Sequence, residues 1–90
     1  MDALRRGFLA RHRAVTLVGV GRTLKEWESR LAASGLRVRA IESGRPGREG
    51  AREVLPPVVL VFGTDPARAR WRGALLASGM RELRDFVFVA

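Results

Sequence analysis

The chain has 90 residues, with seventeen Lys or Arg against nine Asp or Glu and a formal net charge of +8. That length allows one domain, which buries a little over roughly 60% of its unfolded surface. Cysteine is absent, which excludes disulfides, thiolate metal sites and cysteine nucleophiles, and no apolar run of about 18 residues offers a membrane span.

Asn, Gln and Tyr are also missing, and the basic charge is almost wholly arginine. Loss of Asn, Gln and Cys fits a heat-adapted host, and richness in Arg and Ala fits a GC-rich genome. Part of the charge therefore has a compositional origin. It still favours anionic partners: a nucleotide, a nucleic acid or an acidic protein. The N-terminal segment is too short and too charged for a signal peptide, and a cytoplasmic location is expected.

Residues 2–12 read as a short helix that Asp2 could cap, with Leu4 and Phe8 or Leu9 packing down. Gly7 weakens it by roughly 1 kcal/mol of propensity. Arg5, Arg6, Arg11, His12 and Arg13 form a basic cluster without interleaved aromatics. It reads as a solvated face or, alternatively, as a nucleic-acid-binding arm. His12 has no acid near it in sequence and reads as a surface residue.

Residues 14–20 are aliphatic or β-branched with no charge, as expected of a strand covered on both faces. Gly19 and Gly21 permit a tight turn and close backbone approach. Thr23 then reads as an N-cap, with Glu26 completing a capping box. Over residues 23–34, Leu24, Trp27 and Leu31 share one helical face, and Ser34-Gly35 is a stop signal. Free N–H groups and the helix dipole make the turn at Gly21, Arg22 and Thr23 a candidate anion site. The dinucleotide-binding pattern has a small third residue where Leu24 stands here. Glu42 closes the next strand, near where an acidic residue holds a ribose hydroxyl. The alternative is that the glycine turn is only the connection a parallel βα unit needs, with Glu42 a solvated strand end.

Residues 36–42 alternate Leu36, Val38 and Ala40 with Arg37 and Arg39, which predicts a half-exposed edge strand. Residues 43–53 are rich in glycine and charge and read as a mobile loop. Residues 58–62 form a wholly apolar central strand, followed by Gly63, Thr64 and Asp65. Asp65 reads as an N-cap with Pro66 at the first position of a helix over 66–78, in which Ala67, Trp71, Ala74, Leu75 and Ser78 make the buried stripe. Arg68 and Arg72 share another face, Gly79 ends the helix, and residues 85–89 form the last strand. Both tryptophans read as core, and Asp85 as a strand lead-in.

The order predicts an α/β domain: a four-stranded parallel sheet in the order 2-1-3-4, with helices on both faces. With its glycine turn, its acidic strand end and the run Leu75-Leu76-Ala77-Ser78-Gly79 leading to Asp85-Phe86-Val87-Phe88-Val89, the chain resembles small Rossmann-like nucleotide-binding domains attached to sugar-modifying enzymes, including the N-terminal domain of sugar acyltransferases. The resemblance implies binding of a nucleotide or nucleotide sugar at Gly19, Gly21 and Glu42.

Three functions follow. The first is a non-catalytic module that binds a nucleotide or serves as a partner subunit. Its site gathers at the carboxyl ends of the strands from Gly19, Gly21, Arg22, Thr23, Glu42, Gly63, Thr64 and Asp65. The second is a nucleic-acid-binding protein using Arg5, Arg6, Arg11, Arg13, Arg68 and Arg72. The third is a small enzyme whose general base is Asp65 or Glu42. No metal is expected. A small sheet with two edges, one of them the uncharged residues 86–89, predicts a homodimer or larger assembly.

Overall fold

The computed structural model of the protein describes residues 7–46 and 54–89. Its elements follow in the order β1 (Ala14–Gly19), α1 (Gly21–Ala33), β2 (Arg37–Glu42), β3 (Val58–Val61), α2 (Asp65–Ala77) and β4 (Phe86–Val89). The strands form one sheet, β2-β1-β3-β4, and every pairing is parallel. This is the α/β architecture and the strand order that the apolar pattern predicts.

Side chains alternate across a strand, and register partners share a face. Val15, Leu17, Val59 and Val61 project to one side and pack with Leu9 and with Leu24, Leu31 and Leu36. Val18, Val58, Leu60 and Phe86 project to the other, under Ala67, Trp71 and Leu75 of α2. The helices therefore cover opposite faces. Right-handed crossovers demand this, because β1 to β2 steps outward in one direction and β3 to β4 in the other. Phe62 stacks on Trp71 at 5.9 Å between ring centroids. The Trp71 indole Nε1 is buried with no hydrogen-bond partner among the described residues.

The two βαβ halves repeat one another. Helix α2 begins at Asp65 and ends at Ala77, each 44 residues after its counterpart in α1, Gly21 and Ala33. At the same spacing Gly19 matches Gly63, Trp27 matches Trp71, and Leu31, Ser34, Gly35 and Arg37 match Leu75, Ser78, Gly79 and Arg81. Both helices end alike. Gly35 (φ +93°) and Gly79 (φ +90°) adopt the left-handed conformation, and the next residue's N–H returns to the carbonyl of Leu31 or Leu75, which is the Schellman arrangement. In the first half the chain then enters β2 directly. The second half inserts a turn before β4, where Arg81 and Asp85 exchange hydrogen bonds and Leu83 takes φ +71°.

Local signals mislead at the amino ends of the elements. Residues 7–11 form consecutive turns, with Ala10 N–H on the Gly7 carbonyl and His12 N–H on that of Leu9; the remainder of the helix expected over 2–12 lies mostly outside the described residues. Leu9 is nonetheless fully buried, so this segment is held by packing. Thr23 is not an N-cap but the third residue of α1, whose cap position is Val20, and Asp65 opens α2 behind Thr64. In neither helix does the residue at the cap position make a side-chain capping bond. The chain turns into α1 two residues earlier than Thr23 because Gly21 takes φ +64°. Ala40, expected inside, is exposed at the edge, and residues 47–53 of the expected loop lie outside the described residues.

Gly19 sets the distance between β1 and α1. A Cβ built there would lie 3.3 Å from Cβ of Val61 and 3.4 Å from Cδ1 of Leu24. The bulk of Leu24, where the dinucleotide pattern has a small residue, is thus accommodated by the missing side chain of Gly19. Gly73, in the middle of α2, meets nothing within 4 Å. In urea unfolding, Gly19→Val should cost about 1–3 kcal/mol by overpacking. Gly73→Ala should gain about 0.5–1 kcal/mol by relieving a glycine inside an exposed helix turn.

Candidate functional site

Parallel pairing aligns the carboxyl ends of β1, β2 and β3 on one edge. Strand order reverses there between β1 and β3, and ligands of open α/β sheets bind at such a switch point. Gly19 pairs with Glu42 in register, and the Gly19 carbonyl accepts the Ser43 N–H at 3.0 Å. Across the turn, Gly21 N–H donates to Glu42 Oε2 at 3.0 Å. The two halves of the sequence motif, 21 residues apart, are thus in direct contact. The carboxylate of Glu42 serves as the cap that Thr23 does not supply.

Glu42, Gly21, Arg22 and Thr23 are all exposed. The first N–H groups of a helix have no intrahelical acceptor, so those of Arg22 and Thr23 face out from the positive end of the α1 dipole. Gly63, Thr64 and Asp65 occupy the matching turn after β3, also exposed. Asp65 stands in α2 where Gly21 stands in α1. A carboxylate therefore stands at each helix start, Glu42 on the Gly21 N–H of α1 and Asp65 as the first residue of α2; at α1 the residues that follow the capped one, Arg22 and Thr23, are exposed.

The arginines fall into separate groups. Arg5 and Arg6 lie outside the described residues. Arg68 donates Nε–H to the Phe62 carbonyl at 2.6 Å, and Arg72 pairs with Glu82 at 2.8 Å. Their guanidinium groups lie 5.8 and 5.0 Å from the centroid of Phe88. They clamp β4 and do not join Arg11 and Arg13, which lie at the opposite edge of the sheet. There Arg11, Arg13, Arg37 and Arg39 line a cleft of about 580 Å³. The alternation of Arg37 and Arg39 with apolar residues marks an edge strand and does not by itself point to a site. The signal that finds them is the β2–β1 pairing itself, which sets Arg37 opposite Ala14, so that the Arg37 N–H bonds the Arg13 carbonyl at 2.9 Å.

Asp85 begins β4 and holds its turn closed. Its carboxylate accepts from Arg84 Nη2 at 2.9 Å and from the Arg81 N–H at 2.8 Å. The Arg84 guanidinium foremost, and then the Arg81 N–H, hold its carboxyl below the usual carboxylate value. A depressed folded-state pKa contributes stability above the ordinary value, and that stability is lost as pH falls through the folded value. Thermal unfolding of the wild type should therefore weaken more steeply below about pH 4 than that of Asp85→Asn, whose curve should be flatter.

No protein family, characterised protein or solved structure compared with this chain matches it.

Proposed function

We propose that the chain is a non-catalytic Rossmann-like module that binds a nucleotide or nucleotide sugar at the turn between β1 and α1. One observation carries this reading: the hydrogen bond between Gly21 N–H and Glu42. It sets an acidic side chain at the first N–H of a helix whose next residues, Arg22 and Thr23, are exposed, at the topological switch point of the sheet. In this arrangement the phosphates meet the N–H groups of Arg22 and Thr23 with the Arg22 guanidinium nearby, and the Glu42 carboxylate accepts from the ribose hydroxyls.

Titration calorimetry with ribo- and 2′-deoxyribonucleotides tests it. The wild type should prefer the ribonucleotide by about ten-fold, the value of a hydrogen bond to a charged group, and Glu42→Ala should erase the preference. Gly21→Val should abolish binding while costing only about 1–2 kcal/mol of stability, since its φ is left-handed but its Cβ position is open. Arg11→Ala should bind as the wild type does. If no nucleotide binds, the turn is architectural.

The edge strand β4 supports association as well. Phe86–Val89 is an outer strand of the sheet with no charged residue, and such an edge is a template for pairing with a second copy. Sedimentation at high concentration should give a homodimer; a mass of 9.9 kDa removes this reading.

A further inference from the structure

The cleft at the amino edge of the sheet belongs to no part of the nucleotide reading. Its charged residues come from two stretches that are far apart in sequence, Arg11 to Arg13 and Arg37 to Arg39, and parallel pairing brings them together. Ala14 pairs with Arg37 and Thr16 with Arg39, so both arginines of β2 project to the face that α2 covers only beyond β1. No carboxylate among the described residues lines the cleft. Among the described residues the ion pairs are Arg72 with Glu82 and Arg84 with Asp85, and neither draws on these four arginines.

We propose that this cleft binds the phosphate backbone of single-stranded nucleic acid. Three features select that ligand. First, the cleft is shallow: Arg11, Arg13, Arg37, Arg39 and His12 are all exposed. A small-molecule site buries about 70–90% of its ligand, whereas a polymer gains by lying across an open trough and adding contacts along its length. Second, Arg37 and Arg39 are two residues apart on one strand, about 6.6 Å, close to the separation of neighbouring phosphates in an extended polynucleotide. Guanidinium groups hold phosphate oxygens with two parallel hydrogen bonds.

Third, the floor is apolar and fixed. Leu55, 60% exposed, and the exposed Pro56 line the cleft together with the arginines. Thr16 holds this strap by donating Oγ–H to the Leu55 carbonyl at 2.8 Å and its N–H to the Pro57 carbonyl at 2.9 Å. Unstacked bases can lie on that surface and on the guanidinium planes. No helix or hairpin projects from the described part of this edge to enter a duplex groove.

Fluorescence anisotropy of a short fluorescein-labelled oligothymidylate, measured over a series of salt concentrations, tests the proposal. Each phosphate contact on a single strand contributes roughly 0.7 to the slope of log affinity against log salt. Arg37→Ala/Arg39→Ala should lower that slope by about 1.4 and weaken binding about ten-fold or more. Arg11→Ala/Arg13→Ala, which leaves every strand untouched, should do the same. Arg68→Ala/Arg72→Ala should leave the slope unchanged, and so should Gly21→Val, which separates this cleft from the nucleotide turn. Equal losses in the Arg68/Arg72 variant would mean diffuse attraction to a basic surface and overturn the proposal. An unchanged slope in either cleft variant overturns it too. So does displacement of the oligonucleotide by poly-glutamate at equal charge concentration, which would make the occupant an acidic protein.

Discussion

The fold depends on the pairing of β1 with β3. Those two strands are the central ones, buried on both faces from Val15 and from Val58 onward, and their parallel contact, Thr16 to Val58 and Val18 to Leu60, joins halves that are otherwise self-contained. Each half is a strand, a helix and an outer strand, with the helix closing over its own first strand. Joined side by side and running the same way, the halves are related by an approximate two-fold axis parallel to the strands. That relation fixes the rest: one helix per face, the outer strands at the two edges, and both helix starts at the carboxyl edge.

Much of this is legible in the sequence because burial leaves a pattern. Val58 to Val61 cannot face water on either side, and the Ser-Gly pairs at 34–35 and 78–79 stop the helices where the structure stops them. The starts are less legible. A capping signal at Thr23 competes with Gly21, and the left-handed glycine wins because it lets the chain turn without lengthening the loop and hands the capping role to Glu42. That contact joins residues 21 apart, so no local window contains it. Likewise Arg68 and Arg72 read correctly as one helical face, but their partners, Glu82 and Phe88, lie beyond the helix. Residues 2–12 carry a helical pattern, yet at Leu9 tertiary burial without helix is what the described chain shows.

The distribution of charge follows from the same architecture. Carboxylates stand at the carboxyl edge, Glu42 at the end of β2 and Asp65 at the start of α2, where helix dipoles favour negative charge. Arginines without an ion pair among the described residues stand at the amino edge, at the starts of β1 and β2. A chain with net charge +8 thus presents two chemically different rims on one small sheet, and an anion meets acceptors and backbone donors at one rim and guanidinium groups at the other.

The helix ends carry one more consequence. At their carboxyl termini both helices are locked by glycine caps, with each returning N–H satisfying a carbonyl; at their amino termini neither N-cap residue supplies a side-chain bond, and α1 is held there by the exposed Glu42 carboxylate instead. Local opening takes the least stable route, so fraying begins at Gly21 and Asp65 and stops at Leu24 and Ala67, the first buried residues of the two helices. Slow amide exchange therefore belongs to the helices beyond their first turns and to the central strands. The rim at the switch point is the part of the molecule that breathes, and any ligand bound there draws its affinity partly from quieting that motion.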